Sequence, residues 1–107
     1  MTATRLRPLA EIDLIERTRY YRREAGPDVA SRFFDAAIAA LSAIGRMPNT
    51  GSTNPGEVAG IDGLRARRIA GFPCAWFYFV NDRYADVVRL LHEAQDLPVV
   101  LADLAPE

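Results

Sequence analysis

The chain has 107 residues, half of them apolar and a quarter charged, which suits one domain built around one core. Its 13 basic residues are all arginine and face 14 acidic ones, for a net charge of −1, a balance that argues against a general nucleic-acid binder and leaves no lysine for Schiff-base or general-base chemistry. The single Cys74 excludes an internal disulfide, one His and one Cys cannot make the usual zinc site, and no apolar run reaches the roughly 20 residues of a membrane helix.

Taken in chain order, "RLRPL" (5–9) alternates charge with apolar residues and predicts a short strand ended by Pro8. Residues 9–25 predict a helix, with Ala10, Leu14, Thr18 and Tyr21 forming a stripe among charges. Gly26-Pro27 breaks it, and Pro27 suits the first position of a second helix, with Asp28 in the turn where the helix dipole favours negative charge. The second helix carries Ala30, Phe33, Phe34, Ala37, Ile38, Leu41 and Ile44 at helical spacing, a broad apolar face suited to packing on a sheet. The short break at Gly26 implies an antiparallel helical hairpin, and Gly45 and Pro48 stop the second helix.

Residues 48–63 are turn-rich and aperiodic and read as a mobile surface loop; they lack the GK[ST] of a phosphate-binding loop. "LRARRIAGF" predicts a strand, Gly71-Phe72-Pro73 a turn, and the unbroken apolar run 74–80 a central strand buried on both faces. Contiguity of Trp76, Phe77, Tyr78 and Phe79 without a basic residue favours a core strand over a base-stacking platform. Asn81-Asp82 is a hairpin turn, residues 83–92 are the returning strand, and the half-apolar tail either packs back or meets a partner. The fold class expected is α+β: an N-terminal strand, a two-helix antiparallel hairpin, then a three-stranded antiparallel meander, with the helices on one face of the sheet.

Arg65, Arg67, Arg68, Arg89 and His92 are the candidate partner- or target-binding residues. The first three suit either a solvated, salt-bridged strand surface or a patch meeting an acidic partner. Arg89, central in an apolar strand, needs a carboxylate or carbonyl partner if buried, and structural pairing is the favoured reading. His92, the only histidine, is favoured as a strand-end residue that caps backbone groups or packs under the tail, ahead of partner contact and of a general-base role. Strict alternation puts Val88, Leu90 and His92 on one face and Val87, Arg89 and Leu91 on the other, which separates Arg89 from His92. Arg22-Arg23 after Tyr20-Tyr21 reads as the solvated end of the first helix. No cofactor and no metal site is expected, because no cluster of acidic or thiolate ligands stands out.

The order of these segments resembles the ParE/RelE superfamily of bacterial toxins from type II toxin–antitoxin pairs. "RLRPLAEIDL" is similar to that family's opening, "ASRFFDAAIAALSAIGRMPNTG" to its second helix and the Pro-x-x-Gly after it, "GLRARRI" to its Gly-Leu-Arg strand start, and "FYFVNDRYADVVRLLHEAQDLP" to its closing hairpin. The resemblance covers roughly residues 4–98 of a single 1–107 domain, leaving a tail at 99–107. The chain departs from the pattern at Phe79 and Gln95, where arginine is common, near "AGFP", where one or two extra residues lie, and in its lower net charge.

What the resemblance implies divides in two. RelE-like members cut messenger RNA on the ribosome with a basic site of Lys, Arg, His or Tyr; this chain has no lysine, is net acidic and has no tyrosine after His92. ParE-like members poison DNA gyrase and need no active site of their own, and the sequence leans that way. The implied partners are a ParD-like ribbon-helix-helix antitoxin and gyrase, in the cytoplasm, with no membrane and no sequence-specific nucleic-acid binding by the toxin alone. The remaining alternative is a non-toxic relic that binds its antitoxin and co-represses its operon. The opening "MTATRLRPLAEIDL", which has no signal-peptide core, agrees with the cytoplasmic expectation.

Overall fold

The computed structural model describes residues 2–102 and 104; expectations for the last tail residues lie outside this range. The chain begins with β1 (Ala3–Leu6), which starts earlier than expected and stops just before Arg7 and Pro8, and Pro8 itself opens α1 (Pro8–Ala25). Proline is suited to that position, because the first helical residue has no intrahelical use for an N–H. One residue, Gly26, joins α1 to α2 (Pro27–Arg46). It sits at φ 93°, where a side chain would be strained, and so lets two helices meet with no loop between them.

The sheet order is β1-β4-β3-β2, with β2 at Arg65–Arg68, β3 at Cys74–Val80 and β4 at Tyr84–His92. β2–β3–β4 is the expected antiparallel meander, while β1 joins its far edge parallel to β4, with Leu6 opposite Val87. A parallel pairing needs a long connection, and here everything from α1 to β3 lies between the two strands, with the α1–α2 hairpin carrying the chain from one edge of the sheet to the other. Asn81 makes the β3–β4 turn by accepting the backbone N–H groups of Arg83 and Tyr84 at its side-chain oxygen.

α1 and α2 cover one sheet face, where Ala10, Leu14, Phe33, Ala37 and Ile44 pack on Trp76, Tyr78, Val87 and Leu90. Trp76 lies fully buried there and donates its indole N–H to the Ala37 carbonyl at 2.9 Å. The apolar stripe of α2 is narrower than its spacing predicts. Ala40 joins it, whereas Phe34 and Ile38 remain 42% and 40% exposed, since both sit on the flank that turns away from the sheet.

The opposite face is also covered. Leu64, Phe77, Phe79, Val88 and Leu91 form a second cluster with Leu101. Leu101 ends a short helix, α4 (Leu97–Leu101), so this part of the tail packs back on the sheet. Asp96 starts α4 by accepting the Val99 N–H. Residues 48–63 are folded where a loop was expected: a 3-10 turn at Pro48–Thr50, a two-way backbone bridge between Ser52 and Ala66, and α3 (Asn54–Ala59), closed by Gly60 in the left-handed conformation. The turn residues that hide periodicity in this segment are the ones that start and stop such short elements.

β4 is not regular. Phe77 pairs with Arg89 and Tyr78 with Val87, so Val88 is an extra residue on β4. The bulge corrects the expected faces: Val87 packs with Leu90 towards the helices, and Val88 with Leu91 towards α4. It lies before Arg89, so the three-residue step to His92 still puts those two side chains on opposite faces.

Candidate functional site

The five candidate residues do not form one site. Arg65 and Arg67 are two apart on β2 and both reach the 3-10 turn beneath α2. Arg65 donates from one guanidinium nitrogen to the carbonyls of Asn49 and Gly51, each at 2.9 Å. Arg67 donates to the Thr50 hydroxyl at 2.7 Å. Tyr78, across the ladder from Arg65, completes the clasp by donating its hydroxyl to the Pro48 carbonyl at 2.8 Å. Burial raises the Tyr78 phenol above its ordinary range, while Arg67 beside it pulls the other way. Gly51 is required in this clasp, because a Cβ there would collide with the Tyr78 hydroxyl.

Arg68 points elsewhere and pairs with Glu93 at 3.0 Å, with both side chains more than half exposed. That pair stands at the rim of a small apolar slot lined by Cys74, Phe77, Leu91 and Leu97. Cys74 is buried, and burial raises its thiol above the usual range. A protonated, enclosed thiol is a poor nucleophile.

Of the carboxylate or carbonyl partners that its position called for, Arg89 meets a carboxylate. Its Nε and one Nη donate to the two oxygens of Asp13 on α1 at 2.7 and 3.0 Å, a forked pair whose side chains are 20% and 12% exposed. The Asp13 hydrogen bond raises the guanidinium pKa further, so Arg89 stays charged. Asp13 also accepts the Leu90 backbone N–H at 3.0 Å. A second fork lies earlier on the same strand: Arg7 donates to both oxygens of Asp86 at 3.1 and 2.8 Å, with Asp86 only 3% exposed. The two forks staple the start of α1 to β4.

His92 is half-buried and occupied locally. Its Nδ1 accepts the Ala94 N–H at 3.0 Å, and its own backbone N–H donates to the Gln95 side chain at 2.8 Å. An Nδ1 that accepts belongs to the tautomer with its proton on Nε2. The ring therefore caps the turn after β4, the role the strand-end position suggested.

A polar cleft of about 450 Å³ opens between α1 and the end of β4, beyond where β1 stops. The Asp13–Arg89 pair forms its floor, with Leu90 and Gln95 beside it. Arg17, Arg19 and Arg23 of α1 line it, facing Glu16 as the one other carboxylate. Among the described residues none of these three arginines has a salt-bridge partner. Arg17 and Arg23 lie 4.9 and 5.9 Å from the ring centre of Tyr20, one helical turn before it and one after. Tyr20 and Arg23 lie at the exposed end of α1, as expected, and the i, i+3, i+6 spacing of Arg17, Tyr20 and Arg23 puts all three on one side of the helix.

The helical hairpin also leaves apolar side chains in water. Leu9, Ile12 and Ile15 on α1 join Phe34 and Ile38 on α2 as large exposed apolar side chains. Among the described residues no group of three or more potential ligands could hold a metal ion, and no helix is long and apolar enough to cross a membrane.

The model of one protein family, "ParE toxin of type II toxin-antitoxin system, parDE", matches residues 4–97. A solved structure described as "Chromosomal ParDE TA system from P. aeruginosa" is similar with a TM-score of 0.73, covering 86% of this chain and 96% of that one at 18% identity, which bears on the fold. No curated protein sequence matches.

Proposed function

The chain belongs to the ParE toxin family of type II toxin–antitoxin systems, and on that premise we propose that it is a cytoplasmic inhibitor of DNA gyrase, held inactive by a ParD-like antitoxin. The observation that carries this reading over a ribosome-dependent ribonuclease is that Arg65, Arg67, Arg89 and His92 do not converge on one point. RNA cleavage needs an acid–base group and a cationic stabiliser converging on one phosphate. Arg65 and Arg67 clasp a turn, Arg89 forks Asp13, and His92, whose Nδ1 accepts the Ala94 N–H, lies on the opposite side of the strand from Arg89. A gyrase poison instead distributes its binding energy over a surface and requires no such convergence.

The antitoxin half of the proposal is supported by the exposed Ile12, Ile15, Phe34 and Ile38 on the helical hairpin. An apolar face of this kind suits an amphipathic segment laid across it. Purified toxin should inhibit supercoiling by gyrase and leave ribosome-bound messages whole, and His92→Gln should retain toxicity. Prompt message cleavage that His92→Gln abolishes would overturn the gyrase reading. The product of a short reading frame beside the toxin gene should bind at micromolar concentration or better and raise the melting temperature by mass action; no binding would sink the partner reading.

A further inference from the structure

We propose that the cleft between α1 and the end of β4 receives an acidic peptide segment of the antitoxin, with carboxylates paired to Arg17 and Arg23 on the two sides of Tyr20 along the helix. This rests on the antitoxin reading above and deepens it by locating the charged part of the contact away from the apolar hairpin face.

Charge is the first argument. The whole chain is net negative, yet this cleft sets Arg17, Arg19 and Arg23 against Glu16 alone once Asp13 and Arg89 have neutralised each other. Uncompensated arginines close together repel one another, and an incoming carboxylate relieves that repulsion. Tyr20 holds two of the guanidiniums against its ring, which orders them before any ligand arrives. Arginine forks match carboxylates in two-bond geometry.

The β4 edge is the second argument. Past the end of β1 this edge would be open to an added strand. Asp13 already caps the Leu90 N–H and Gln95 caps the His92 N–H, the two donors that point to that side. A segment entering here is therefore read by side-chain charge and not by strand pairing. Asp13 and Glu16 also line the cleft, which disfavours a continuous phosphate backbone and favours discrete carboxylates that can be spaced around them.

The test uses the full chain and the neighbouring gene's antitoxin, with affinity measured by calorimetry at low and high salt. Arg17→Glu with Arg23→Glu should weaken antitoxin binding by about 10- to 100-fold and flatten its salt dependence. Arg17→Lys with Arg23→Lys, which keeps the charge, should lose less, and Arg83→Glu in the turn before β4 should change little. Circular dichroism melts would show the double variant folded. If the folded double variant binds antitoxin as the wild type does, the inference is overturned while the antitoxin reading stands. Antitoxin-independent binding of duplex DNA that the double variant loses, with antitoxin affinity intact, would assign the cleft to nucleic acid instead. No antitoxin binding by the wild type would overturn both readings.

Discussion

The arginines of the strands and the arginines of α1 have the same chemistry and opposite fates. Arg65, Arg67 and Arg89 each donate to a named acceptor within the molecule, while Arg17, Arg19 and Arg23 line an open cleft without a carboxylate of their own. A guanidinium brought towards a core must be paired, or its desolvation would cost more than the fold gains. One left at a helix surface keeps its water and remains available to a partner. Residue type alone therefore says little about which arginine binds another molecule; the surrounding acceptors decide.

The comparison is broken most severely at Asp13. Asp13→Ala should destabilise the fold by about 3 kcal/mol, because it strands the Arg89 guanidinium and leaves the Leu90 N–H uncapped. The midpoint of urea unfolding measures this, and a loss below about 1 kcal/mol would mean that the fork is solvated and the strand arginines are no more committed than those of α1.

Gly51→Ala should cost about 1–3 kcal/mol. The added methyl forces the Tyr78 hydroxyl off the Pro48 carbonyl and loosens the turn that Arg65 and Arg67 hold. Amide exchange should quicken around residues 48–52 more than in α1.

A smaller effect separates the inward side of α1 from its outward side. Burial, with Cys74 beside it, pushes the Tyr21 phenol up to about 12 from 10.0. Between those values the unfolded chain has released the Tyr21 proton and the folded chain has kept it, so stability falls as pH rises through that window. Ultraviolet titration of the four tyrosines should show a late-ionising fraction that joins the rest on unfolding.

The smallest effects are expected at the exposed arginines. Arg68→Ala should cost under about 1 kcal/mol, since its pair with Glu93 is mostly in water. Arg17→Ala and Arg23→Ala should each fall within about 0.5 kcal/mol of wild type. A larger loss in either would show that Tyr20 stacking is structural, drawing the α1 arginines into the same class as the strand arginines.

Much of the fold was legible in the sequence because local chemistry dictated it. Gly26-Pro27 marks the break between two helices, the run from Cys74 to Val80 suits a central strand buried on both sides, and Asn81 closes a hairpin through its own side chain. The need of Arg89 for a carboxylate or carbonyl partner followed from its place in an apolar strand. What tertiary structure decided were the partners and the phases. That the carboxylate is Asp13, 76 residues away, depends on α1 lying along β4. The extra residue at Val88 shifted the faces of β4, and no pattern of apolar residues distinguishes a bulge from a regular strand when both faces are buried. The 48–63 segment became ordered because Arg65, Arg67 and Tyr78 supply donors to its backbone and hydroxyl oxygens from β2 and β3. Periodicity reports which side of an element avoids water; it carries no information about which distant atoms complete a hydrogen bond.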